Sequence, residues 1–296
     1  MLKEDELDKL RRAGRISGEA REIGMEMCEP GVKLYDVAQE VDGYIREHGC
    51  KLAFPCNISR NDIAAHYTPS CTDKSKLEMG DVVKIDCGGH IDGWLGDNAG
   101  TVEVGTHTYT GLIAASKNAR DTVEEFLGAG VEICEVGRAV EMSVKAAGYK
   151  VVENLCGHSI EQYGLHAGLT ICNYDDGNTD KFKNGMICAI EPFVTDGGGS
   201  VVNGRPGGIV QYQRDRPLKD PKDQEFLDYV KEEFCGFPFC ARNCEFPNAE
   251  KHVKKLVRLG LFSSYALLME IKGGMVAQFE HSFYISGPKA ELMTPP

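Results

Sequence analysis

The sequence predicts an α+β fold made of two like halves, with a helical insertion late in the chain. Three observations carry this. The segment GVKLYDVAQEVDGYIREHGCKL, starting at Gly31, aligns without gaps onto GVEICEVGRAVEMSVKAAGYKV, starting at Gly130, 99 residues later. Apolar positions coincide, as do Gly49 with Gly148 and Lys51 with Lys150. A second echo pairs KLEMGDVVKID at 76–86 with KFKNGMICAIE at 181–191. In each, a turn glycine is followed six residues later by an acid that ends a strand-like run. Helical and strand periodicities also follow in the same order in both halves. Such a chain folds about a pseudo-two-fold axis, where the acids of both halves converge.

The elements can be taken in order. Residues 4–28 have helical periodicity and stop at the Pro30-Gly31 break. A second helix spans 34–48 and is closed by Gly49. Strands at 81–90 and 94–104 are joined by the turn material Ile91-Asp92-Gly93. Helices follow at 108–128 and 134–147, then strands at 185–194 and 274–286. The stretch 196–272 breaks the pattern. It opens with glycine-rich DGGGSVVNGRPGG and continues through helical text such as PKDQEFLDYVKEEF and NAEKHVKKLVRLGLF. It has no counterpart in the first half. It reads as an inserted α-helical subdomain at 196–272, packed on the edge of a main domain formed by 1–195 and 273–296.

Composition sets the frame. A chain of 296 residues with 42% apolar and 26% charged residues can build a real core in one large domain or two modest ones. The net charge of -12 argues against a nucleic-acid surface and fits a site that accepts cations. No apolar run approaches the roughly 20 residues needed to span a bilayer. The start, MLKEDELDKL, is charged and helical, unlike a signal peptide. A cytoplasmic location is therefore expected. The twelve cysteines are scattered and read as free thiols of a reducing compartment. Their one cluster is Cys235, Cys240 and Cys244, with His252 nearby. Its spacing does not match CxxC zinc pairs, which leaves a disulfide or a structural metal there as minor alternatives.

The chemistry lies in Asp86, Asp97, His158, Glu191 and Glu280. Each acid sits in or beside an apolar strand-like run, where charge is rare unless paired or metal-bound. Alone, Asp97 in GDN could be a turn residue, and either glutamate could face solvent. Together with a histidine they point to one buried site. In a hairpin with an even loop, Asp86 and Asp97 share a face, directly opposite or diagonal. Carboxylates so close repel unless a dication lies between them. Hard oxygens plus one imidazole suit Mn, Fe, Co or Zn, and this many carboxylates suggests two ions sharing ligands. The reaction class is metal-assisted hydrolysis.

These five residues resemble the ligand set of the pita-bread metallopeptidases. The segments AFPCNISRNDIAAHYTP, DVVKIDCGG, GDNAGTVEV, GHSIEQYGLHAG, AIEPF and AQFEHSF all resemble methionine aminopeptidase text, over nearly the whole chain. The insertion before Glu280 resembles that of the type II subfamily, in its shorter archaeal form. The resemblance implies a curved, mostly antiparallel sheet covered by helices. It implies removal of the initiator methionine from nascent chains with a small second residue. Asp86 would chelate one divalent ion (Co, Mn, Fe or Zn), Asp97 and Glu280 would bridge two, and His158 and Glu191 would complete the other. Glu191 is also the candidate handler of the proton of the bridging water. His66 would meet the substrate amide, and His166 the scissile carbonyl or its oxyanion. Phe54, Leu165, Phe193 and Tyr265 would line the methionine pocket. The expected partners are nascent polypeptide N-termini, with the ribosome as a docking partner that no feature locates. A monomer is expected, with no membrane and no nucleic-acid site. Two alternatives differ in ways the sequence shows. An aminopeptidase P or prolidase usually carries a separate N-terminal domain, yet here only 85 residues precede Asp86. A non-catalytic pita-bread protein that binds RNA or ribosomes would have lost ligands, yet this chain keeps all five and both histidines, and it is acidic.

Overall fold

The computed structural model describes residues 1–296. The first half runs through helices α1 (Glu4–Glu26) and α2 (Leu34–Glu47) and strands β1 (Lys51–Arg60), β2 (Ile63–Ala65), β3 (Val82–Ile91) and β4 (Trp94–Glu103). The second runs through α3 (Thr110–Phe126), α4 (Ile133–Ala146), β5 (Lys150–Val151), β6 (Cys156–Ile160), β7 (Thr170–Cys172), β8 (Ile187–Ile190) and β9 (Phe193–Thr195). Then come β10 (Val201–Tyr212), α5 (Pro221–Phe234), a 3-10 turn at Ala241–Asn243, α6 (Ala249–Arg258) and β11 (Phe262–Glu270). Strands β12 (Val276–Gln278), β13 (His281–Tyr284) and β14 (Glu291–Leu292) close the chain.

The sequence repeat is also a repeat in space. Gly31 and Gly130 both take the left-handed conformation, at φ +88° and +94°. Their N–H groups donate to the carbonyls of Leu77 and Phe182, at 2.8 and 2.9 Å. Each thus ties the start of its helix (α2 or α4) to the segment leading into the acid-bearing strand. Gly49 and Gly148 end these helices at φ +88° and +84°, a conformation that costs a residue with a Cβ but not glycine.

Every strand pairing in the molecule is antiparallel. β1, β3 and β4 form the first half-sheet, and β14, β13, β8, β6 and β7 the second. A backbone seam joins them. Ala99 and Glu280 exchange N–H···O bonds of 2.9 and 3.4 Å. Ser282 Oγ both accepts from the Asp97 N–H and donates to the Asp97 carbonyl, at 2.9 and 2.8 Å. Thr101 Oγ1 does the same with Gln278, at 2.8 and 2.7 Å. Two hydroxyls thereby extend the ladder on either side of the central pair, where the twisted strands no longer meet directly.

Helices cover this sheet on its outer face. Buried residues of α1 and α2, such as Ile16, Val37, Val41 and Ile45, pack on Ile58, Val83 and Ile85. Those of α3 and α4 pack on Cys188, Ile190 and Phe283. α1 lies close because it meets the sheet through glycine: a Cβ on Gly96 would fall 2.4 Å from Gly14 Cα.

Two expectations change. The strands expected at 185–194 and 274–286 are each broken, the first after Ile190 and the second after Gln278. Pro192 has no N–H to continue the ladder, and Glu280 turns to pair with Ala99 across the seam. The break falls at the acid both times. The stretch 196–272, expected to be helical, is mixed: helices lie between the two long strands β10 and β11. Glycines and Pro206 disguise β10 in the sequence, since both weaken strands. It survives as an edge strand, with a register shift beside Pro206, while β11 pairs on its other side with β2 of the first half. The helices of this stretch pack on an aromatic core of their own, with Phe226, Phe234, Phe239 and Phe262.

Candidate active site

Four acids reach one cavity because of where their strands end or turn. Asp92 and Gly93, at φ +50° and +83°, form the two-residue turn between β3 and β4. This sets Asp86 opposite Ala99 and Asp97 opposite Gly88. The two aspartates are therefore on one face, as expected, and diagonal to each other. The breaks in the later strands deliver Glu191 and Glu280 from the second half-sheet. β6, paired with β8, brings His158 opposite Ala189.

All eleven residues that the resemblance assigns to the site line a single cavity of about 240 Å³. Asp86, Asp97, His158, Glu191 and Glu280 form its polar end. His66, His166, Phe54, Leu165, Phe193 and Tyr265 lie around the rest. The sequence reading missed Asn57, Ala65, Leu155, Cys156, Ile209, Pro238 and Leu268, which also line it. Cys156 precedes His158 by two and so shares its strand face, a signal that was available. Ile209 and Pro238 carry no such signal, because folding of the 196–272 stretch alone brings them there. Gln278 was missed as well: its side-chain amide points at Glu280 Oε2, 3.3 Å away, and Glu191 Oε2, 3.5 Å away.

The electrostatics are unbalanced. No Lys or Arg lines the cavity. Burial alone pushes the Asp86 carboxyl up to about 7. Burial, and then the neighbouring carboxylates, push Asp97, Glu191 and Glu280 well above the usual range. Asp86 Oδ1 is sealed from solvent and has no hydrogen-bond partner. Four carboxylates facing one another with an orphaned oxygen and no protein cation call for positive charge from outside.

The imidazole is prepared for the same purpose. Nδ1 of His158 lies 3.3 Å from the Ser159 carbonyl, which can only accept, so the proton sits on Nδ1. The lone pair of Nε2 then faces Asp97 Oδ2 at 3.5 Å and Glu191 Oε1 at 3.6 Å. Burial, with His166 beside it, lowers His158 to about 3, so the ring is neutral. One ligand atom each from Asp97, His158 and Glu280 lies within 4.8 Å of the others. These oxygens and one imidazole nitrogen suit a borderline divalent ion.

His66 stands at the other side. Its backbone is left-handed, at φ +71°. Nδ1 donates to the Ala266 carbonyl at 3.1 Å, which leaves Nε2 as an acceptor. Burial lowers its pKa, against the pull of that carbonyl. The edge of its ring meets Tyr265, with centroids 5.1 Å apart, and Tyr265 is itself held by its hydroxyl on Gln211 at 2.9 Å. His166 packs on His158, with ring centroids 4.3 Å apart.

The cysteine cluster makes neither a disulfide nor a ligand set. All twelve cysteines are free thiols. Cys240 Sγ donates to Asn243 and Cys244 Sγ to the Cys240 carbonyl, while His252 Nδ1 pairs with Asp223 at 2.7 Å. No helix is long and apolar enough to cross a membrane.

Comparison with known proteins shows the family. The model of metallopeptidase family M24 matches residues 8–216. The methionine aminopeptidase of Thermococcus onnurineus (strain NA1) is 39% identical over 98% of this chain and 100% of its own. That of Pyrococcus abyssi (strain GE5 / Orsay) is 40% identical over 95% of this chain and 96% of its own. Among solved structures, a thermophilic Arx1 shares the fold with a TM-score of 0.85 at 18% identity, over 100% of this chain and 92% of that one. Methionine aminopeptidase from Thermotoga maritima does so with a TM-score of 0.74 at 20% identity, over 100% and 98%. At such identities these two likenesses speak for the fold alone.

Proposed function

The chain belongs to metallopeptidase family M24, and on that premise we propose that it is a metal-dependent aminopeptidase that removes the N-terminal methionine from nascent proteins. One observation carries the reading: four acids and a neutral histidine share one cavity that also has apolar walls and no protein cation. Relatives named for this activity match across nearly the whole chain.

In this reading Asp86, Asp97, His158, Glu191 and Glu280 would hold two divalent ions, with Asp97 and Glu280 as the ligands able to serve both. Bound there, the ions would make a water nucleophilic near neutral pH and offset charge forming on the scissile carbonyl. The chain's own residues do the rest. Glu191 accepts the proton of the attacking water. His66, neutral and with Nε2 free, accepts from the substrate amide. His166 faces the carbonyl as its oxygen gains charge. Phe54, Leu165, Phe193 and Tyr265 enclose the methionine side chain, joined by Ile209, Pro238 and Leu268. Four of these, Ile209, Pro238, Tyr265 and Leu268, come from 196–272, so that stretch helps to shape the pocket. The reading includes a preference for a small second residue.

The test is peptide hydrolysis after chelation and add-back of Co, Mn, Fe or Zn. Metal-dependent release of methionine from Met-Ala-Ser, and not from a peptide with a bulky second residue, is the expected result. Cleavage of an X-Pro peptide instead would assign the chain to the aminopeptidase P branch. No cleavage with any metal, in a folded sample, would overturn the reading. Docking on ribosomes is a separate part of the proposal, and co-sedimentation at physiological salt would test it.

A further inference from the structure

Cys156 and Cys172 are direct cross-strand partners in the β6–β7 ladder. Their sulfurs lie 3.6 Å apart, and no other two thiols of the twelve make hydrogen-bond contact. Both are half-buried, so reagents can reach them. Cys156 lines the catalytic cavity two residues before His158, while Cys172 lies outside it. Neither has a part in the chemistry proposed above.

We propose that this dithiol is a modification site for a low-molecular-weight disulfide, and that its oxidation to a Cys156–Cys172 bond closes down the active site. The gating half of this statement rests on the proposed peptidase function, whereas the bond itself does not. The exchange balances in two steps. Cys172 Sγ loses its proton and attacks one sulfur of the external disulfide, and the first small thiol leaves with that proton. Cys156 Sγ then attacks Cys172 Sγ, the protein S–S bond forms, and the second small thiol leaves with the Cys156 proton. Two protein thiols are oxidised and one external disulfide is reduced.

The surroundings show how the bond would reach the site. A disulfide is about 2.05 Å long, so the sulfurs must close the gap between them. The strands cannot both yield. A Cβ on Gly157 would lie 2.3 Å from the Ala189 carbonyl, so β6 already touches β8 at that point. Next to Cys172, the buried Asn173 side chain donates to the carbonyls of Leu155 and Glu191, at 3.0 and 3.1 Å. Movement of either cysteine is therefore passed to the wall carrying Leu155 and His158 and to the backbone of Glu191. A displacement of about 1 Å in a catalytic wall can cost on the order of 100-fold in rate.

The experiment treats the metal-loaded full chain with excess oxidised glutathione. Peptide mapping should find Cys156 linked to Cys172, and peptide hydrolysis should fall about 10–100-fold and return with dithiothreitol. Cys172→Ser should keep its basal turnover and lose the sensitivity, even though exposed Cys71 and Cys235 still react. Absence of the Cys156–Cys172 link overturns the site. A link that leaves turnover unchanged overturns the gating. If the untreated protein hydrolyses no peptide, the mapping still decides the site, and it is the proposed peptidase function that has failed.

Discussion

Ala99 and Glu280 bridge the two halves of the molecule through their backbones, with Glu280 N–H donating to Ala99 O at 2.9 Å. Asp97, two residues before Ala99, points to the same face of β4. The bridge thus places carboxylates from opposite halves side by side: one oxygen from each, with a His158 nitrogen, lies within 4.8 Å of the others.

Removing either acid should therefore disable the enzyme more than removing an outer partner would. Asp97→Ala and Glu280→Ala should each lower turnover by more than the roughly 10–100-fold expected for loss of an outer-shell contact. Bound metal should fall toward one ion per chain, read by elemental analysis. Near-normal turnover of either variant with metal supplied would refute a shared, dinuclear site.

His66 separates chemistry from metal binding. His66→Ala should lower kcat about 100–1000-fold and leave the metal content unchanged. Because φ is +71° here, alanine also strains the backbone. His66→Asn tolerates that conformation and should show the same loss. Loss of metal in both variants would make His66 a ligand.

Gly207, in β10, packs on the backbone of His66. A Cβ there would fall 1.8 Å from the His66 carbonyl oxygen, a backbone atom that cannot step aside. Gly207→Ala should destabilise the fold by about 1–3 kcal/mol and lower kcat, with thermal unfolding and hydrolysis as the readouts. Unchanged kcat would mean that the backbone at His66 has more room than the contact suggests.

Glu270 ties the glycine-rich loop after β9 to the end of β11. Burial alone would raise its pKa, but N–H groups of Gly274, Lys272, Gly198 and Gly199 outweigh burial and lower it. A carboxylate with a lowered folded pKa adds stability above its unfolded value of about 4.3. That stability is lost as the pH falls through the lowered value. Glu270→Gln should therefore be less stable than the parent at neutral pH, with the gap narrowing in acid. A gap that does not change with pH would refute the assignment.

Chelation should lower the unfolding temperature as well as abolish hydrolysis. Any ion that binds the folded site alone stabilises it by mass action, and here it also relieves mutual repulsion of Asp97, Glu191 and Glu280. Calorimetry with and without chelator would show it. An unchanged transition would mean that no ion is held by the folded site.

Much of this was legible in the sequence because it is local. Helices α2 and α4 follow from periodicity, and Gly31, Gly49, Gly130 and Gly148 stand where only a left-handed turn fits. The acids announced themselves as charges in apolar strands. Tertiary structure decided the rest. The strand at Glu191 breaks beside Pro192, but the one at Glu280 breaks to pair across the seam, a choice made by a distant partner, Ala99. The two-residue turn at Asp92-Gly93 settled Asp86 and Asp97 as diagonal, where the sequence left them diagonal or opposite. Strand β10 was hidden because Gly and Pro lower strand propensity, and only its place at a sheet edge makes it a strand. Ile209 and Pro238 reach the cavity, and Cys172 meets Cys156, through pairings far apart in the chain. Periodicity records which face of an element is apolar, whereas the identity of its partner is set by packing over the whole molecule.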